Sequence, residues 1–225
     1  MRPALRQICE HFDVELIRDC YEKGNRPFVP HMIRYEFEAE WLKDHMNDVD
    51  RVLHTDSFDV FFQGDPFAQH VSNESLLFVV EPHCFRSCGW NIEWLTRCYP
   101  QAFASMSHRF IICSGSIAGS AAEYLKLLRL MMGTDEWVRC WDRSLDQQIL
   151  NYLVWRGMVK GAGINYSLTS CDGGFLTVQW CAIEDHLKRN EFNQVTSIAG
   201  SVPSYIHQYD RFPAFQSSLF AMCGL

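Results

Sequence analysis

Apolar and polar positions along this chain of 225 residues follow two rhythms. Residues 30–45, PHMIRYEFEAEWLKDH, place apolar side chains at 33, 37, 41 and 42. That is a helical spacing, with Pro30 near the start where proline is tolerated. Further helices are predicted over 3–11, 89–99, 116–132 and 144–157. In the third of these, Ile117, Ala121, Tyr124, Leu125 and Leu128 share one stripe. In the last, Ser144 can cap the start and Gly157 can end the helix. Apolar runs at 13–19, 50–56, 75–81 and 109–115 read as strands, with shorter strand-like pieces at 175–178 and 204–207. Alternating strands and helices predict an α/β class, with 1–225 as a single domain and no repeat or low-complexity linker.

Composition narrows the function classes. Hydrophobic residues make up 48% and aromatic residues 14%, enough for a sizeable core, which excludes disorder. The net charge of −7, from 20 basic and 27 acidic residues with no basic block, argues against nucleic acid as a partner. No run is long enough to cross a bilayer, and the first residues lack the apolar core of a signal peptide, so the chain as given reads as soluble. Ten cysteines are many, but none lie in the paired CxxC spacing of a structural zinc site. The tightest cluster, HCFRSC, holds His83, Cys84 and Cys88 and is a candidate metal site. Buried thiols or a disulfide are the competing readings, and the spacing does not choose between them.

The candidate chemistry begins in VLHTDSFDVFFQGDPF, residues 52–67. An apolar strand climbs to Asp56 and Asp59. Carboxylates at the carboxyl end of a buried strand sit at the mouth of an α/β sheet, where ligands bind. Two of them this close repel unless a cation or donor lies between, and a divalent ion answers that repulsion. The competing reading is a tight turn whose acids satisfy backbone amides. Asp65, followed by Pro66, reads as a structural helix cap. The D-x-x-D spacing and the preceding strand exclude a haloacid-dehalogenase-type phosphatase. Near the far end, SYIHQYDRFP carries His207, a possible third metal ligand, and Arg211, which can pair with a phosphate or with Asp210; a surface turn is the alternative. DQQILN, starting at Asp146, reads either as a capped surface helix or as a pair, Asp146 and Gln147, facing a hydroxyl-rich ligand.

In order along the chain, LHTDSFDVFFQGDPF, ICSGSIAGS, DQQILNYL and IHQYDR resemble a GT-A-type nucleotide-diphospho-sugar glycosyltransferase, from about residue 12 to residue 213. The resemblance implies a Rossmann-like mixed sheet flanked by helices. It implies a manganese (or magnesium) ion on Asp56, Asp59 and His207, with Asp56 also near the ribose. Ser114 and Gly115 would border the donor sugar, Arg211 would add charge at the diphosphate, and Glu81 would face the acceptor. Asp146 and Gln147 would bind sugar hydroxyls or face the anomeric carbon as catalytic residues. The implied activity is transfer of a hexose from a nucleotide diphosphate sugar, UDP-linked by expectation, to a hydroxyl of a saccharide or protein-glycan acceptor. Two departures stand out. The usual metal motif is D-x-D, one residue shorter. The chain also opens on a helix, so the fold's first strand is expected to be missing and the chain N-terminally truncated. A membrane anchor of the kind many eukaryotic relatives carry would belong to that segment, and the implied compartment is the Golgi or secretory pathway. The alternative expectation is a non-catalytic glycosyltransferase-like binding domain or an inactive fragment.

Overall fold

The computed structural model describes residues 3–15, 17, 26–68, 71–143, 145–178 and 187–222. The fold is mixed α/β. Its main sheet has the order β1 (Arg51–Thr55), β4 (Phe110–Ser120), β3 (Leu76–Cys84), β5 (Tyr166–Ser170). β4 runs antiparallel to both β1 and β3, while β3 and β5 are parallel. A smaller sheet has the order β2 (Val60–Phe62), β9 (Tyr205–His207), β6 (Phe175–Thr177), and a two-stranded ribbon joins β7 (Lys188–Arg189) to β8 (Val195–Thr196).

Helices flank the main sheet, and in chain order the helices are α1 (Pro3–His11), α2 (Pro30–His45), α3 (Gly89–Cys98), α4 (Phe103–Met106), α5 (Ala121–Met132), α6 (Asp135–Arg139), α7 (Asp146–Trp155) and α8 (Met158–Gly161). α9 (Pro213–Met222) packs through Phe215 and Leu219 against Leu176 and Ile206 of the smaller sheet. The largest core cluster joins Leu76, Phe78, Ile112 and Ile117 of the sheet to Leu127, Leu128, Leu150 and Leu153 of α5 and α7. No helix among the described residues is long and apolar enough to cross a membrane.

Most predicted elements are present, and the differences have physical causes. The helix predicted over 116–132 starts only at Ala121, because β4 continues through Ser120. Residues 116–120 pair with all five residues of β1. At Gly119, φ is +137°, outside the helical region, and an added Cβ would lie 2.2 Å from the Ser75 carbonyl oxygen, so the close strand passage needs glycine. Ser120 then caps α5, accepting from the Glu123 amide at 3.3 Å. Gly157 ends α7 as predicted, with φ of +74°; Ser144, the expected cap, lies outside the described residues. Of the strand predicted over 13–19, residues 13–15 and 17 are irregular and the remainder lies outside the described residues. Asp65 does not start a helix. Its carboxylate accepts from the Phe67 amide at 2.8 Å and closes a turn, a structural role all the same. β5, YSLTS, was not predicted: it is an edge strand with exposed polar positions and no apolar signature.

Candidate metal and ligand site

β1 ends at Thr55 and β2 begins at Val60, so Asp56 and Asp59 occupy the short link between the two sheets. β9 pairs with β2 so that His207 lies opposite Val60. This register carries His207 to the same link across about 150 residues of chain. Its Nε2 lies 3.4 Å from Asp56 Oδ2 and 3.7 Å from Asp59 Oδ1. Among the described residues these three form the one cluster able to hold a metal, with one ligand atom from each within 4.8 Å of the others. His207 Nε2 and Asp59 Oδ1 are buried and have no hydrogen-bond partner. An imidazole nitrogen and a carboxylate oxygen left bare next to Asp56 Oδ2 fit a shared cation. Carboxylate oxygens with one imidazole nitrogen suit manganese better than magnesium, which favours oxygen. The HCFRSC candidate does not form. His83 lies by Glu81 at 3.4 Å, Cys84 points to Ser87, and Cys88 Sγ accepts from Asn91 Nδ2 at 3.2 Å.

Gly115 makes this convergence possible. A Cβ there would lie 2.5 Å from Asp56 Oδ2 and 3.0 Å from His207 Cε1. The glycine therefore gives room to the carboxylate and the imidazole, a closer reason for its presence than access to a sugar. Behind the ring, Cys113 Sγ lies 3.7 Å from His207 Nδ1, and burial pushes the thiol pKa well above its usual range.

Arg34, from α2, is a site residue the sequence reading missed. Its guanidinium contacts Asp56 Oδ1 at 2.5 Å and Asp146 Oδ2 at 3.3 Å. Tyr35 Oη donates to the same Asp146 oxygen at 3.0 Å. The only local signal was a lone cation between apolar Ile33 and Tyr35, which does not distinguish a buried pair from a surface charge. The two link acids are electrostatically unlike. Burial works against the Asp56 carboxylate, but His207 and Arg34 outweigh it and hold its pKa well below the ordinary range. At Asp59 burial raises the pKa, the nearby Asp56 and Asp210 charges add to it, and His207 and Arg211 oppose it. Arg211 reaches Asp59 at 3.6 Å and Asp210 at 2.5 Å.

The cluster borders a cavity of about 640 Å³ whose wall includes Asp56, Glu81, Ser114, Asp146, Gln147 and Arg211. Those six come from five separate segments of the sequence. Gln147 is engaged on both ends: its Oε1 accepts from the Ser114 amide at 3.2 Å and its Nε2 donates to Asn91 at 3.0 Å. Trp90, Asn91, Trp94 and Gln208 also line the cavity and were not anticipated. Glu81 lies within β3 rather than at its end and is buried, which pushes its carboxyl up to about 7. A second cavity of about 490 Å³ lies between α2 and β1, with largely apolar walls and Arg34 shared between the two. The acid-lined cavity is the candidate site because it borders the metal-capable cluster. No protein-family profile and no curated protein matches this chain.

The Cys98–Cys140 disulfide joins the end of α3 to the end of α6. Cys9, Cys84, Cys88 and Cys113 are free thiols.

Proposed function

We propose that this chain is a GT-A-type glycosyltransferase that moves a hexose from a nucleotide diphosphate sugar to a hydroxyl acceptor. The observation that carries the reading is the convergence of Asp56, Asp59 and His207, with two bare, buried ligand atoms, beside the 640 Å³ cavity that Asp56 lines. The mixed sheet flanked by helices is compatible with the fold. Asp56, Asp59 and His207 would hold manganese (or magnesium), which supplies Lewis-acid charge beside a diphosphate leaving group. Arg211 brings a fixed positive charge to the same wall. Arg34 keeps Asp56 ionised and orients both Asp56 and Asp146, so Asp146 acts through this pair. Gln147 and Ser114 hold each other at the cavity wall, where their remaining polar capacity faces a ligand's hydroxyls. A disulfide between Cys98 and Cys140 suits an oxidising compartment, in keeping with the secretory pathway.

Calorimetric titration with UDP, with and without manganese, tests this. Manganese-dependent binding that is lost in Asp59→Ala supports the reading; binding that ignores manganese in both proteins refutes it. A second reading, a sugar- or nucleotide-binding domain without transfer, draws on the Arg34–Asp56 pair, in which the chain itself supplies a cation to one ligand carboxylate. Turnover of any nucleotide sugar by the purified chain would end that reading.

A further inference from the structure

Glu81 differs from the other acids that line the cavity. Asp56 and Asp146 are both paired with Arg34. Glu81 is 5% exposed, lines the cavity and makes no hydrogen bond among the described residues; its one ionic contact is with His83 Nε2 at 3.4 Å. A buried carboxyl without a partner is costly, and a ligand donor in the cavity relieves that cost. Burial lowers the pKa of His83, so this neighbour is a poor counter-charge.

The same wall carries an aromatic face. Trp90 and Trp94 stand four residues apart on α3, hence on one side of the helix, and both line the cavity. Trp90 is 68% exposed, unusual for the largest apolar side chain. The platform is not loose. Asn91, between the two indoles, turns inward: its Oδ1 accepts from Gln147 Nε2 at 3.0 Å and from Gln148 Nε2 at 2.8 Å, pinning α3 to α7.

We propose that Trp90, Trp94 and Glu81 form an acceptor subsite for a saccharide, with a pyranose ring face on the indoles and a hydroxyl donated to the Glu81 carboxyl. This rests on the reading of the cavity as a glycosyl-transfer site, and it narrows the acceptor to a sugar. A pyranose matches both halves of the wall, offering an apolar C–H face to an aromatic ring and O–H donors at its rim. A buried carboxyl that takes up a proton readily suits a neutral hydroxyl better than an ammonium group. Asp146, another acid of the cavity lining, is already bound to Arg34 and Tyr35.

The test is saturation-transfer NMR on the full chain with the methyl glycosides of glucose, galactose and mannose, alongside the UDP–manganese titration on the same samples. At least one glycoside is expected to bind. Trp90→Ala and Glu81→Ala should each weaken that binding about tenfold, while Trp90→Phe, which keeps a ring, should retain most of it. Manganese-dependent UDP binding with no glycoside binding, or with glycoside binding that both alanine variants leave unchanged, overturns the subsite and leaves the transfer reading standing. Glycoside binding lost in Trp90→Ala, in a chain that takes no UDP, keeps the saccharide subsite and removes the transfer reading. Choline binding in place of the glycosides also overturns the proposal.

Discussion

A Cβ on residue 115 would lie 2.5 Å from Asp56 Oδ2, so the absence of a side chain at Gly115 sets where the Asp56 carboxylate can stand. Gly115 lies in β4 and Asp56 just beyond β1, and the antiparallel pairing of Thr55 with Ser116 brings them side by side. The same missing side chain leaves room for His207. One glycine thus serves two of the three metal-capable residues.

Gly115→Ala should therefore impair ion binding more than folding. The atoms in the way belong to the end of an Asp side chain and an imidazole edge, which can shift, rather than to backbone. The expected result is manganese affinity reduced at least about tenfold, with a stability loss of about 1–3 kcal/mol. Manganese titration and urea denaturation of the variant check this. Unchanged affinity would mean that Asp56 and His207 need not hold their present positions.

Arg34→Met keeps an apolar stem and removes the charge shared by Asp56 and Asp146. Asp146 is buried, so among the described residues its carboxylate is left with Tyr35. The expected loss is about 3 kcal/mol, as for breaking one side of a buried ion pair. Adding Asp146→Asn should recover a good part of it. Denaturation of both variants decides; equal losses in the single and double variants would show that the pair is not what holds α2 to α7.

The Glu81 carboxyl is pushed up to about 7 by burial, against an ordinary value of 4.5. The native state therefore holds a proton that the unfolded chain releases. This contribution to stability is fully present below pH 4.5 and is lost as pH rises through about 7. The full loss is about 3 kcal/mol. Glu81→Gln removes the titrating group, so the stability difference between variant and parent should shift toward the variant as pH rises. Urea midpoints across that range measure it, and parallel curves would contradict it.

The Cys98–Cys140 disulfide closes a loop of 42 residues. The chain-entropy model assigns about 4 kcal/mol to a loop of that length. The double variant Cys98→Ser, Cys140→Ser should lower the urea midpoint accordingly, and dithiothreitol should destabilise the parent more than the variant, in which Cys171 is still disulfide-bonded. Equal sensitivity to the reductant would place the effect on another cysteine.

The first residues of several elements were legible because their signals are local. Pro30 opens α2, the apolar run from Val52 leads to Asp56, and Gly157 ends α7 by adopting a left-handed backbone. Residues 116–120 misled for the opposite reason. SIAGS carries small and apolar positions that suit the first turns of a helix. Its strand state depends on β1, some 65 residues earlier, and on the close passage of Ser75 over Gly119. Among the described residues no strand precedes β1, which is an edge of its sheet.

By itself the sequence determined which side chains were available and where: two acids after a strand, a histidine after another, an acid and an amide at a helix start. Periodicity and capping are properties of neighbouring residues, so a linear reading reaches them. Only the tertiary structure decided how those groups are paired. It joined Arg34 to Asp56 and Asp146, left His207 Nε2 and Asp59 Oδ1 bare, and buried Glu81 in a cavity that two tryptophans also line. Charge pairing and desolvation depend on distances of a few ångströms between segments up to about 150 residues apart. Those distances are set by sheet register and helix packing, which no local pattern encodes.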